Sequence, residues 1–95
     1  MIIERAELPV KEGMEDEFAS AMRDRALAIL GSAPGCIALR FGRGVESPST
    51  FILLIEWDSV KAHMDFRDTE AFGEFASITR DFYADAPRME HFEID

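Results

Sequence analysis

Residues 51 to 55 form an uninterrupted run of large apolar side chains, Phe51-Ile52-Leu53-Leu54-Ile55. Such a short run after turn-forming residues predicts a β-strand, here from Thr50 to Trp57. Successive side chains of a strand point to opposite faces of the sheet, and this strand offers no polar face before Glu56. A sheet with helices on one side only would show alternation, so the run predicts a sheet that is covered on both faces. Pairing of two sheets in a dimer is the simplest way to cover the second face.

The remaining segments show either the strand period or the helix period. We predict further strands at residues 2–10, 36–45 and 88–94. We predict helices at residues 14–31 and 60–66, and a third one that begins after Thr69 and reaches Tyr83 before Pro87. The order predicts one α+β domain over residues 1–95, a ferredoxin-like βαββαβ monomer whose four-stranded antiparallel sheet carries its helices on one face.

The first strand has one exception to its pattern. Ile2, Ala6, Leu8 and Val10 share one face, and Glu4 is the only charged residue among them. The proline that precedes Val10 indicates an edge or the end of the strand.

Composition and charge exclude several classes of partner. The formal net charge of −9 opposes binding to a phosphate backbone or an anionic lipid surface, so neither nucleic acid nor a membrane is expected as a partner. Cys36 is the only cysteine, which rules out an intrachain disulfide. The N-terminal residues lack the basic and long apolar regions of a signal peptide, so a cytoplasmic location is the default expectation.

Few residues are candidates for chemistry. His63 and His91 lie on different predicted elements without the spacing of metal ligands, so no metal site is predicted. A compact fold could place Trp57 and His63 at the mouth of a pocket, but Trp57 fits a core or dimer contact equally well, and His63 fits a half-buried helix position. A cavity of a few hundred Å3 beside these two rings would favour the pocket. Cys36 is interpreted as a structural thiol rather than a nucleophile.

Several motifs together resemble the antibiotic biosynthesis monooxygenase (ABM) family over nearly the whole chain. The most specific block is Glu56-Trp57-Asp58-Ser59-Val60-Lys61-Ala62-His63 followed by Phe66-Arg67, and the opening strand, Pro34-Gly35 and His91-Phe92-Glu93 also fit. The resemblance implies a homodimer in which two ferredoxin-like sheets form an α+β barrel. This implication agrees with the apolar third strand.

The resemblance also implies a range of functions. Members of the family include monooxygenases that oxidise phenols, anthrones or quinols with dioxygen and without a cofactor, and enzymes that degrade haem. The haem-degrading branch carries an asparagine on its first strand, and this chain has none there, which disfavours haem. We therefore expect a small aromatic substrate, dioxygen and no cofactor. The alternative is a non-catalytic dimeric barrel that binds or regulates through a small molecule.

The resemblance places the site at matching residues of this chain. His63 is the expected base, since imidazole titrates near neutral pH. Arg67 is expected to stabilise a phenolate or peroxide anion. Trp57, Phe66 and Phe82 are the expected flat walls of the substrate pocket.

Overall fold

The computed structural model describes all residues from 1 to 95, and its centre is one antiparallel sheet. The strands are β1 (Ile2–Pro9), β2 (Cys36–Arg43), β3 (Thr50–Trp57) and β4 (Arg88–Glu93). They lie in the order β2-β3-β1-β4, so the first and third strands are central. The predicted ferredoxin-like α+β fold is confirmed.

The helices cover one face of this sheet. They are α1 (Glu15–Ala21), a π-helical segment (Met22–Ala26), α2 (Leu27–Gly31), α3 (Val60–Arg67), α4 (Glu70–Thr79) and a 3-10 turn (Arg80–Phe82). The predicted helix at 14–31 is thus interrupted by a π segment, and the predicted last helix becomes a 3-10 turn after Thr79. None of the helices has the length and apolar character needed to cross a lipid bilayer.

Alternation along β3 places the core on the helix side of the sheet. Phe51, Leu53, Ile55 and Trp57 are buried there, with exposed fractions of 3% or less. Leu54 points to the opposite face and is 38% exposed. Within one chain, therefore, the apolar run is covered on one face only.

Local backbone features fix the position of α3 against the sheet. The Oγ of Ser59 accepts a hydrogen bond from the amide of Ala62 at 3.1 Å and caps the helix. Gly35 has a φ of +89°, and a Cβ at this position would lie 2.6 Å from the Cβ of Ala62. Its carbonyl also accepts a hydrogen bond from the amide of Asp58 at 2.8 Å. The predicted turn at Pro34-Gly35 therefore allows the start of α3 to lie directly against the loop before β2.

Candidate functional site

A cavity of about 310 Å3 lies between the helix side of the sheet and helices α3 and α4. Apolar side chains from β1 and β3 and aromatic side chains from both helices form most of its wall. Its polar or ionisable side chains are Glu4, His63, Arg67, Thr79, Arg80 and Tyr83. The core is hollow beside Trp57 and His63, which is the observation expected for a pocket rather than a filled core.

Trp57 and His63 form a stacked pair in the wall of this cavity. Their ring centroids are 4.9 Å apart with an interplanar angle of 18°. Both side chains belong to the interior of the chain, since Trp57 is 1% and His63 is 5% exposed. Trp57 therefore cannot be a residue whose main contacts lie across the open face of the sheet.

Glu4 is the functional candidate that the sequence analysis did not identify. The indole Nε1 of Trp57 donates a hydrogen bond to its Oε1 at 3.0 Å, and the Nε2 of His63 lies 3.3 Å from the same oxygen. Burial raises the pKa of this carboxyl, while the bond from Trp57 and the charge of Arg67 act in the opposite direction. The one sequence feature that could have identified Glu4 is its position as the only charged residue on the apolar face of β1.

His91 joins the site from the neighbouring edge strand. β4 pairs with β1 so that His91 lies directly opposite Glu4. The Nδ1 of His63 and the Nε2 of His91 are 2.7 Å apart, within hydrogen-bond distance. Burial, followed by the charges of His91 and Arg67, lowers the pKa of His63 to about 4. At neutral pH His63 is therefore a neutral imidazole, with a hydrogen on one ring nitrogen only.

The last turn of α3 contributes two of the expected residues. Phe66 is 3% exposed and its ring centroid lies 6.0 Å from that of Trp57. Arg67 lines the cavity, and its guanidinium carbon lies 5.9 Å from the centre of the Phe72 ring. The cavity thus has a flat aromatic wall with a cation beside it.

Phe82 does not line the cavity, in contrast to the expectation. Its ring packs against Phe18 at a centroid distance of 5.6 Å, on the other side of the core. A 3-10 turn replaces the end of the predicted helix, and Tyr83 lines the cavity instead of Phe82. Burial raises the pKa of the Tyr83 phenol.

Neither the histidines nor the cysteine form a recognisable metal or nucleophile site. No group of three or more His, Cys, Asp and Glu side chains is arranged to hold a metal ion. Burial and the nearby charge of Glu4 raise the pKa of Cys36, which disfavours the thiolate form.

Comparison with known proteins gives the same assignment as the motifs. The profile described as antibiotic biosynthesis monooxygenase, ABM, matches residues 1–77. The uncharacterized protein YczJ of Bacillus subtilis (strain 168) is 33% identical over 94 residues, which cover 98% of each chain.

Solved structures share the fold over the full chain. A crystal structure from Bordetella bronchiseptica, named for the same family, has a TM-score of 0.90 at 27% identity and covers 99% of this chain and 96% of that one. A Caulobacter crescentus CB15 structure with the same family name has a TM-score of 0.83 at 22% identity, covering 99% and 89%. The resemblance inferred from the motifs is confirmed. This chain belongs to the antibiotic biosynthesis monooxygenase family.

Proposed function

We propose that this protein is a monooxygenase that oxidises a phenolic, anthrone or quinol-type aromatic compound with dioxygen in the cavity beside Trp57, without a bound cofactor or metal. One observation carries the proposal. An apolar cavity with flat aromatic walls carries a buried carboxyl, a neutral imidazole and a guanidinium close together in one polar wall, formed by Glu4, His63 and Arg67. Membership of the family supports the same reaction class.

The size of the cavity limits the substrate. A cavity of about 150 Å3 inside a protein core holds one benzene ring. The cavity here measures about 310 Å3, so it has room for two fused rings. A third ring, as in an anthrone, would extend through the mouth of the cavity. We therefore expect hydroxynaphthalenes and naphthohydroquinones to be the best substrates of this class.

The proposed reaction needs little chemistry from the protein. A deprotonated phenol can transfer one electron to dioxygen, combine with the resulting superoxide to a peroxide and lose water to give a quinone. The protein binds the ring against the cavity wall that includes Trp57 and Phe66, removes a proton and excludes water. Arg67 faces the negative charge of the phenolate and of the peroxide. His63 is neutral and belongs to the polar wall through which the proton is transferred.

Oxygen consumption by the metal-stripped protein over a panel of hydroxynaphthalenes, naphthohydroquinones and anthrones tests this function. Ala76→Phe would fill the cavity, because Ala76 lies in its wall. Ala71→Phe is the matched control, since Ala71 is an exposed residue of the same helix. We expect the wild type and the control to consume oxygen above the spontaneous rate and the filled variant to fall to that rate.

Other outcomes of the same experiment point to the alternatives. Binding of the panel without oxygen consumption would replace the monooxygenase by a small-molecule binding protein. A Soret shift on addition of haemin would favour the haem-degrading branch. Equal oxygen consumption by the wild type and the filled variant would place the reaction outside this cavity.

We also propose that two copies of the chain pair through the open face of the sheet. Leu54 on β3 and Phe92 on β4 are 38% and 40% exposed on this face, and Ile52 lies two residues from Leu54 on the same face of β3. Burial of these side chains would stabilise a dimer. It would also cover the second face of the sheet, as the apolar run of β3 predicts. Sedimentation of Leu54→Glu should show a monomer, whereas Val60→Glu, a change at a side chain that is 40% exposed on α3, should keep the dimer. A dimeric Leu54→Glu variant would contradict this pairing.

A further inference from the structure

We propose that Glu4 is the acid–base residue of this site: it takes the proton from the substrate hydroxyl and later returns it to the peroxide anion. This inference rests on the proposed monooxygenase function and assigns the proton transfer to Glu4 rather than to His63.

The two carboxyl oxygens of Glu4 have different surroundings. Oε1 accepts the hydrogen bond from Trp57 at 3.0 Å and lies 3.3 Å from the Nε2 of His63. Oε2 makes no hydrogen bond within the protein. Oε2 is nevertheless not fully buried, because the Nε of Arg5 is the only fully buried side-chain nitrogen or oxygen that lacks a hydrogen-bond partner. Glu4 lines the cavity, so Oε2 is the oxygen that a substrate hydroxyl can reach.

The position of His63 favours a hydrogen on the ring nitrogen that faces Glu4. An ionised carboxylate accepts hydrogen bonds and donates none. Beside an ionised Glu4, a neutral His63 carries its hydrogen on Nε2, 3.3 Å from Oε1, and leaves Nδ1 as an acceptor. The Nε2 of His91 then donates to that nitrogen across 2.7 Å. With both ring nitrogens engaged, His63 has no free lone pair for the substrate, and His91 is a positioning residue that fixes the His63 tautomer.

The proton balance of the reaction suits a single carboxyl. The phenolic O–H bond breaks and its proton moves to Oε2, which leaves a phenolate. The phenolate gives one electron to dioxygen, and the radical pair forms a C–O bond and a peroxide anion. Glu4 returns its proton to this anion, giving a hydroperoxide. Glu4 then takes the proton from the C–H bond at the same carbon while the O–O bond breaks. The hydroxide that leaves receives that proton, so the products are a quinone and one water.

The surroundings of Glu4 favour this role. Burial raises the pKa of the carboxyl and so makes the carboxylate a stronger base than one in water. The ionisable groups around it come from three other elements of the fold: His63 and Arg67 on α3, His91 on β4, and Cys36 on β2. The charge of Arg67 opposes this rise in the pKa of Glu4, which keeps the carboxylate form accessible.

Glu4→Gln tests the assignment, because the amide keeps the size of the side chain and an oxygen for Trp57 and His63 but cannot accept the proton. We expect oxygen consumption at pH 7 with a naphthohydroquinone to fall about 100-fold or more. The rate of the variant should then rise about tenfold per pH unit, following ionisation of the substrate itself, whereas the wild type should show a plateau. Glu17→Gln, at an exposed position of α1, should behave like the wild type.

Binding must be measured beside the rates. Trp57 is the only tryptophan and lines the cavity, so quenching of its fluorescence by 1,4-naphthoquinone reports binding directly. Intact binding in Glu4→Gln together with the loss of rate and the altered pH profile would support the acid–base role. An active wild type with an equally active Glu4→Gln variant would overturn this role and leave the monooxygenase function standing. An inactive wild type over the whole panel would overturn both.

Discussion

Replacement of Trp57 by phenylalanine should destabilise the protein by an amount that depends on pH. The change keeps an aromatic ring in the stack with His63 but removes the N–H donor that bonds to Oε1 of Glu4 at 3.0 Å. A hydrogen bond to an ionised group contributes about 1.5–3 kcal/mol to stability. The packing loss from the smaller ring is the same at every pH. The pH-dependent part therefore isolates the hydrogen bond.

The sign of this dependence follows from the raised pKa of Glu4. A buried carboxyl whose pKa is raised in the folded state destabilises the fold as pH rises from its ordinary value of 4.5 through the folded value. Loss of the bond from Trp57 raises the pKa of Glu4 further, because that bond favours the ionised form. At pH values well below 4.5 Glu4 is protonated in both proteins, and the packing loss and a weaker hydrogen bond to a neutral carboxyl separate them. At pH values above both folded pKa values the difference should grow by about 1 kcal/mol, the excess of a hydrogen bond to an ionised group over one to a neutral group.

Urea unfolding of the wild type and of Trp57→Phe at both ends of this range measures the effect. Far-UV circular dichroism is the suitable signal, because the variant has no tryptophan left. The same substitution in a Glu4→Gln background is the control, and its effect should not vary with pH. An equal loss of stability at low and high pH in the Glu4 background would refute the reasoning that Trp57 bonds to an ionised Glu4.

Four further substitutions test the fold and the site. Gly35→Ala should lower stability by at least about 1–2 kcal/mol, because of the positive φ and the contact of the added Cβ with Ala62. Gly73→Ala should stabilise the helix by about 0.5–1 kcal/mol, because no atom lies near the added Cβ. Thermal unfolding of both variants distinguishes the two effects. Phe18→Ala should cost about 3–5 kcal/mol in urea unfolding, since this ring is fully buried. His63 has its pKa lowered from 6.5 to about 4, so it contributes stability that is lost as pH falls through that window, by at most about 1.4 kcal/mol per pH unit. The stability difference between wild type and His63→Phe should shrink or reverse over the same window, and a constant difference would contradict a lowered pKa.

The periodicity of the sequence was sufficient for the fold. Alternation in β1 and the apolar run in β3 identified two of the strands, and the spacing from Met14 to Leu30 identified the first helix. Pro9 marks the end of β1 and not an edge, because β1 is a central strand. These patterns report which face of an element is buried, and this property decides the topology of a small antiparallel sheet. Boundaries were less accurate, because capping and strand ends depend on neighbours that lie far away in the chain.

The site was predictable only where one segment contains it. Trp57, His63, Phe66 and Arg67 lie within one strand and the helix that follows it, and all of them line the cavity. Glu4 and His91 meet His63 through the register of β1 with β4, and a shift of one residue in that register would turn either side chain to the other face. No local pattern contains this register. Tyr83 lines the cavity where Phe82 was expected, because the helix changes to a 3-10 turn after Thr79.

The pairing of the first strand with the last has a consequence for how the protein matures. Glu4 and His91 are brought together by the β1–β4 register, so the contact between His63 and His91 exists only after β4 has joined the sheet. Contacts between such distant residues form late and slowly in folding, because a long loop must close before they can stabilise anything. Glu4 already meets Trp57 and His63 through β1, β3 and α3, whereas β4 adds only the second histidine. The ring orientation of His63 is therefore fixed last, when the edge strand completes the sheet.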